Sequence, residues 1–90
     1  MALSRELLIS NKRGLHARAS AKFVQTVGSF DAVVSVAKDG TTVGGMSIMG
    51  LMMLAASPGC SIVVTARGPQ AADVLDALER LVLDKFGEEA

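Results

Sequence analysis

The stretch Asp31-Ala32-Val33-Val34-Ser35-Val36-Ala37-Lys38-Asp39-Gly40-Thr41-Thr42-Val43-Gly44 decides how the chain folds. Asp31 to Lys38 is rich in valine and predicts a strand, and Thr41 to Gly44 predicts a second, shorter one. Asp39-Gly40 between them is a two-residue hairpin signal, because both central residues of the tight turn need positive φ. Short runs around a central hairpin favour an antiparallel sheet with helices packed on one face. A parallel Rossmann-like arrangement would need longer crossovers throughout.

Working outward from the hairpin, the N-terminal side gives a strand over Leu3 to Ser10, centred on Leu7 to Ile9, and a turn at Asn11 to Gly14. From Ala17 to Val27 the positions Ser20, Phe23, Val24 and Val27 recur at i, i+3, i+4 and i+7, one buried helical face. Gly28 is placed to end that helix in the left-handed conformation. On the other side Ser47 can cap a short helix running to about Ala55, broken by Ser57-Pro58-Gly59. Ser61 to Arg67 is a fourth strand. Pro69 suits the start of a last helix whose core stripe is Ala71, Val74, Leu75, Leu78, Leu81 and Val82. The order is βαββαβα, an α+β fold in one domain over 1–90, with no repeat, linker or low-complexity segment.

Half of the 90 residues are hydrophobic, enough for a modest core, and only 3% are aromatic, all Phe, so the core is expected to be aliphatic. So few rings argue against stacking on single-stranded nucleic acid. A single cysteine, Cys60, permits no internal disulfide and fits a reducing cytosol. One Cys and one His cannot assemble a zinc site, and no metal or cofactor is expected. Met1 to Ile9, charged at Arg5 and Glu6, reads as neither a signal peptide nor a membrane span. A cytoplasmic protein is expected.

Net charge is zero, but it is unevenly spread along the chain. No acid occurs between Glu6 and Asp31, where Lys12, Arg13, Arg18 and Lys22 surround His16. In the C-terminal part Asp73, Asp76, Glu79, Asp84, Glu88 and Glu89 outnumber Arg80 and Lys85. One basic corner on a neutral protein suits a local anionic group or an acidic partner patch. It does not suit nonspecific DNA binding, which needs many phosphate contacts.

Gly14-Leu15-His16-Ala17-Arg18-Ala19-Ser20 is the segment with chemistry in it. His16 stands where the turn gives way to the first helix. Unpaired backbone N–H groups and a partial positive charge gather there. That setting disfavours the imidazolium, leaving a neutral nucleophile. It also favours an anion, such as a phosphoryl group, attached to the ring. The dipole contributes about 0.3–1 kcal/mol, or ~2 if partly buried. Arg18 brings a guanidinium matched to phosphate oxygens. The plain alternative is a helix-capping or merely exposed histidine. No second histidine or aspartate lies beside His16 in sequence to serve as a general base. A nucleophile with anion stabilisers but no acid–base partner suits a carrier that relies on another protein's active site.

Met46 to Ala56 is apolar almost all round. If Leu51, Leu54 and Ala55 point inward, Ile48, Met49 and Met52 face solvent as an adaptable partner surface; wider burial is the competing reading. Ser47 is first of all an N-cap. A phosphate there would also be tolerated by the helix dipole and would place negative charge in an apolar patch. Cys60, after the Pro58-Gly59 turn, reads as a buried or half-buried structural thiol.

Through Gly14-Leu15-His16-Ala17-Arg18 and Ser47-Ile48-Met49-Gly50-Leu51-Met52, the whole chain resembles HPr, the histidine-containing phosphocarrier family of the bacterial phosphoenolpyruvate-dependent phosphotransferase system. The resemblance implies an open-faced β-sandwich, a four-stranded antiparallel sheet with three helices on one side. It implies that His16 takes phosphate on Nδ1 from Enzyme I and hands it to an EIIA-type acceptor. It makes Arg18 the phosphate-site arginine, and Ser47 the serine modified by HPr kinase/phosphorylase. It makes Ala21, Ile48, Met49 and Met52 the docking surface. Three departures stand out. Ala19 replaces the proline usual in sugar-system members, which looks like the nitrogen-related regulatory branch. Met46 replaces a common lysine before the serine. Gln25, Gly28 and Gly50 replace frequent basic residues, so the basic rim is thinner and complementarity to an acidic partner is weaker.

Two other readings stand beside the carrier, for which a monomer suffices. One is a non-carrier regulatory binding module of βαββαβ type, with His16 idle. The other is a small phosphatase or hydrolase using His16, disfavoured because no acid–base partner or metal set is visible in the sequence.

Overall fold

The computed structural model describes residues 2–88; Met1, Glu89 and Ala90, which the expected domain includes, lie outside the described residues. The elements are β1 (Ala2–Leu8), α1 (Ala17–Gly28), β2 (Val33–Lys38), β3 (Thr41–Gly44), α2 (Ile48–Met53), β4 (Ser61–Arg67) and α3 (Ala71–Leu83), followed by a single 3-10 turn at Lys85–Gly87. The four strands form one sheet in the order β1-β4-β2-β3, every neighbouring pair antiparallel. The α+β architecture is the expected one.

The hairpin forms as its dipeptide requires. Lys38 pairs with Thr41 across the two-residue loop, and Asp39 and Gly40 both take positive φ, 50° and 83°. One sheet face is covered and the other is open. Along β4, Ile62, Val64 and Ala66 are buried, while Ser61, Val63 and Arg67 are exposed. In β2, Val34 and Val36 are buried, whereas Val33 remains 60% exposed. Side chains on successive residues point to opposite faces, so this alternation marks helices on one side only.

Between sheet and helices lies an almost wholly aliphatic core. Phe23 from α1, Leu51 from α2 and Val74 and Leu78 from α3 meet Ile9, Val36, Ile62 and Val64. Phe86, beyond α3, is buried with them. Its backbone reaches that place through three successive left-handed residues, Lys85, Phe86 and Gly87. For two non-glycine residues this conformation costs about 1–3 kcal/mol each, offset by burial of the Phe86 ring.

Four local expectations are corrected. Gly28 is the last residue of α1 and is not left-handed; the helix ends by tightening, with Ser29 N–H donating to the Thr26 carbonyl and Phe30 N–H to that of Val27. α2 stops at Met53, and Ala55 is exposed with φ 54°, so Ala56, not Ala55, joins Leu51 and Leu54 inside. Pro69 precedes α3 by two residues, with Gln70 at its N-cap. β2 begins at Val33, two residues later than the valine run suggested, because the segment before it closes onto the start of α3 through Asp31 N–H to Gln70 Oε1, 2.7 Å, and Gln70 N–H to Asp31 O, 3.0 Å.

Phe23 is fully buried where α1 meets the sheet. Phe23→Ala should lower unfolding stability by about 3–5 kcal/mol. The shift in urea midpoint, at unchanged slope, measures it.

Candidate functional site

Two loops dock on each other to fix where α1 begins. Leu15 N–H donates to the Ala56 carbonyl at 2.9 Å, Ile9 N–H to Cys60 O at 2.8 Å, and Gly59 N–H to Ile9 O at 2.9 Å. Gly14 is buried in this contact with φ +63°, and a Cβ there would collide with the Ala56 carbonyl oxygen and crowd Ser57 Cα. Only glycine combines that φ with that approach. Leu15 packs into the core, and the chain emerges at His16.

His16 is the N-cap of α1, with extended φ −75° and ψ −179°, and its side chain makes no capping hydrogen bond. Its carbonyl accepts the first helical bond, from Ser20 N–H at 2.9 Å. The N–H groups of Ala17, Arg18 and Ala19 precede that bond and so have no intrahelical partner. No acidic residue sits in the first turn of α1. The ring is therefore not a cap; it remains partly accessible, 23% of its side chain exposed, beside three amides without an intrahelical partner.

The ring instead meets a carboxylate. His16 Nε2 lies 2.8 Å from Glu88 Oε2. The same oxygen accepts from Asn11 Nδ2 at 2.9 Å, and Asn11 Nδ2 also donates to Gly14 O at 2.8 Å. Asn11 is completely buried. Hydrogen bonding from His16 holds the Glu88 carboxyl below the usual carboxylate range; the Asn11 hydrogen bond and the charges of His16 and Arg13 act in the same direction, partly opposed by desolvation. Lys22 Nζ donates to Phe86 O at 2.6 Å, fastening the segment that carries Glu88.

These groups line an open cavity of about 410 Å³, where Lys12, Arg13, Arg18 and Lys22 surround His16 and Glu88. The expected basic corner exists in space, but it is not free of acid. Glu88, counted with the acidic C-terminal part, returns to it. The sequence reading found no acid partner for His16 because the partner stands 72 residues away. Lys22 spends a donor on the backbone, whereas Arg18 is exposed. A larger groove of about 680 Å³ lies between α1 and α3, lined by residues such as Thr26, Ala77 and Leu81, away from His16. No cluster of three or more potential metal-ligating side chains occurs among the described residues.

Around α2, Ile48 and Met52 are each 39% exposed and Met49 is 69% exposed. Met46 and Met53, which the sequence reading did not place in the patch, are exposed too. α2 packs against α1, where Ala21 is half-buried. Ser47 is an exposed N-cap whose Oγ accepts from Gly50 N–H at 2.9 Å. Cys60 is half-buried against the core, its Sγ 3.5 Å from Ser57 Oγ, and that hydrogen bond draws the thiol below its usual range.

The family model for the PTS HPr component phosphorylation site matches residues 3–84. This chain belongs to the HPr family. It is 48% identical over 86 residues to a phosphocarrier protein HPr of Neisseria meningitidis, covering 96% of this chain and 97% of that one. It is 45% identical over 86 residues to HPr of Cupriavidus necator, with the same coverage. A crystal structure of HPr from Thermoanaerobacter tengcongensis superposes with a TM-score of 0.92 at 41% identity, covering 98% of this chain and 99% of that one. Membership of this family makes the chain a phosphocarrier of the phosphotransferase system and not an enzyme with turnover of its own. No helix among the described residues is long and apolar enough to cross a membrane.

The lowered Glu88 carboxyl sets an acid limit on the cluster. Its stabilising contribution is present above the ordinary carboxylate pKa and is lost as pH falls through the lowered, folded-state value. Thermal unfolding followed from pH 7 to pH 2 should therefore show a smaller acid loss in Glu88→Gln than in the parent. Parallel curves would remove Glu88 from the acid response.

Proposed function

We propose that His16 accepts a phosphoryl group on Nδ1 from phosphorylated Enzyme I, which is charged by phosphoenolpyruvate, and passes it to an EIIA-type acceptor. The observation that carries this reading is the placing of the only histidine at the start of α1, its side chain unused as a cap and partly open to solvent. An N–P bond forms at Nδ1 as the donor's bond to phosphorus breaks, and the reverse exchange releases the group to the acceptor. The amides of the first helical turn and the Arg18 guanidinium hold the phosphoryl oxygens. The chain supplies a site for the group and leaves activation of the transfer to its partners.

Ala21, Ile48, Met49 and Met52 form the docking surface shared by Enzyme I and the acceptor. Methionine adapts to differently shaped partners, which suits one patch that must meet both. Ser47 is the regulatory site, a target of HPr kinase/phosphorylase. A phosphate there adds about −1.5 to −2 charges at the edge of the patch and weakens an acidic partner's docking. The chain works as one domain, as a monomer in the cytoplasm, with no cofactor. Ala19 favours the nitrogen-related regulatory branch.

With Enzyme I and labelled phosphoenolpyruvate, His16→Ala should take up no label, while Arg18→Ala should fold normally and transfer more slowly. Acid-stable label on His16→Ala would move the site elsewhere, and an unchanged Arg18→Ala rate would remove that guanidinium from the mechanism. HPr kinase and ATP should label the parent but not Ser47→Ala. Equal incorporation in the two, or none in the parent, contradicts the switch at Ser47.

A further inference from the structure

The Glu88 carboxylate has no part in the transfer as described so far, yet it is bonded to the reacting ring. The segment that carries it is built at some cost. Three left-handed residues turn the chain back after α3, the Phe86 ring is sunk in the core, and Lys22 clamps the Phe86 carbonyl. The outcome of these contacts is one oxygen, Glu88 Oε2, placed between Asn11 Nδ2 and His16 Nε2. Asn11 is itself fixed by full burial and by its bond to Gly14 O.

We propose that Glu88 is a positioning residue which, held by Asn11, keeps the His16 proton on Nε2 and so leaves the ring's lone pair on Nδ1. An ionised carboxylate only accepts hydrogen bonds, so the hydrogen shared at 2.8 Å belongs to Nε2. In a neutral imidazole one nitrogen carries the proton and the other is the nucleophile, and the bond made by one fixes the role of the other. The contact also acts on charge. When Nδ1 forms its bond to phosphorus with Nε2 still protonated, the ring gains positive charge. The proton stays where it is, the electron pair of the broken bond returns to the donor, and the adjacent carboxylate balances the cationic ring.

The consequence for transfer rests on His16 being the phosphoryl acceptor; the tautomer does not. Because the chain has one histidine, a 15N-histidine-labelled sample gives a single pair of ring nitrogens. Two-bond proton–nitrogen correlation spectra of the neutral ring should show Nε2 protonated and Nδ1 bare in the parent. In Glu88→Ala the two nitrogen shifts should move toward each other as both tautomers are populated, and acceptance from Enzyme I should slow. Glu88→Gln, which keeps an acceptor oxygen without the charge, should restore much of the tautomer bias but less of the rate. Amide spectra of both variants should match the parent away from the site. A bare Nε2 in the parent, or nitrogen shifts in Glu88→Ala identical to the parent, overturns the proposal. Label reaching His16 with a tautomer indifferent to Glu88 refutes the positioning role alone. A tautomer set by Glu88 with no label on His16 refutes the carrier site alone.

Discussion

The carbonyl oxygen of Ala56 occupies the space that a side chain at residue 14 would need, and the rest of the site follows from that contact. Because Gly14 closes onto the loop before β4, Leu15 can bond to Ala56 O and enter the core, and the next residue becomes the N-cap of a helix. His16 thus sits at the α1 start without its side chain having to build that start. A capping Ser or Asp would spend its oxygen on the helix amides. An imidazole that caps nothing leaves those amides for an anion and leaves both ring nitrogens for other work.

The chemistry of a carrier sets a second constraint, because a group held too tightly is never passed on. The structure meets it with modest forces. A helix terminus contributes about 0.3–1 kcal/mol toward an anion, and Arg18 is exposed, where screening weakens its pull. The one strongly fixed element, the Asn11–Glu88–His16 cluster, bears on the ring and not on the group transferred. Local positive charge collects the anion, and the neutral whole has no broad field to hold it. In the function proposed above, recognition falls to the exposed, apolar face of α2, separate from the nitrogen that carries the group.

Much of this was legible along the chain. Asp39-Gly40 announced the hairpin, and the spacing of Phe23, Val27, Val74 and Leu78 announced which helix faces are buried, because turn chemistry and periodicity are local properties. The Gly14–Ser20 and Ser47–Met52 segments carried the resemblance to HPr, and full-length relatives place the chain in that family. Helix ends were less legible. Gly28 and Ala55 took conformations opposite to their expected ones, since tertiary contacts decide whether a helix tightens or turns left-handed. Glu88 was not legible at all. Its partner is 72 residues away, and the left-handed backbone at Lys85 and Phe86 that brings it back leaves no signature in residue type. The charge count along the chain set it with the acidic C-terminal part, apart from the basic residues around His16. Asn11 gave half a signal, as a turn residue whose second role needed Glu88 to be seen.

The claim beneath all of this is that one imidazole nitrogen, presented at a helix start, bonds to phosphorus. Phosphorus–nitrogen coupling measures it most directly: the 15N-histidine-labelled protein is charged with Enzyme I and phosphoenolpyruvate, and the coupling is read at each ring nitrogen. A one-bond coupling at His16 Nδ1 is the predicted result. Phosphorus coupled to Nε2, or bound to no ring nitrogen at all, contradicts the account.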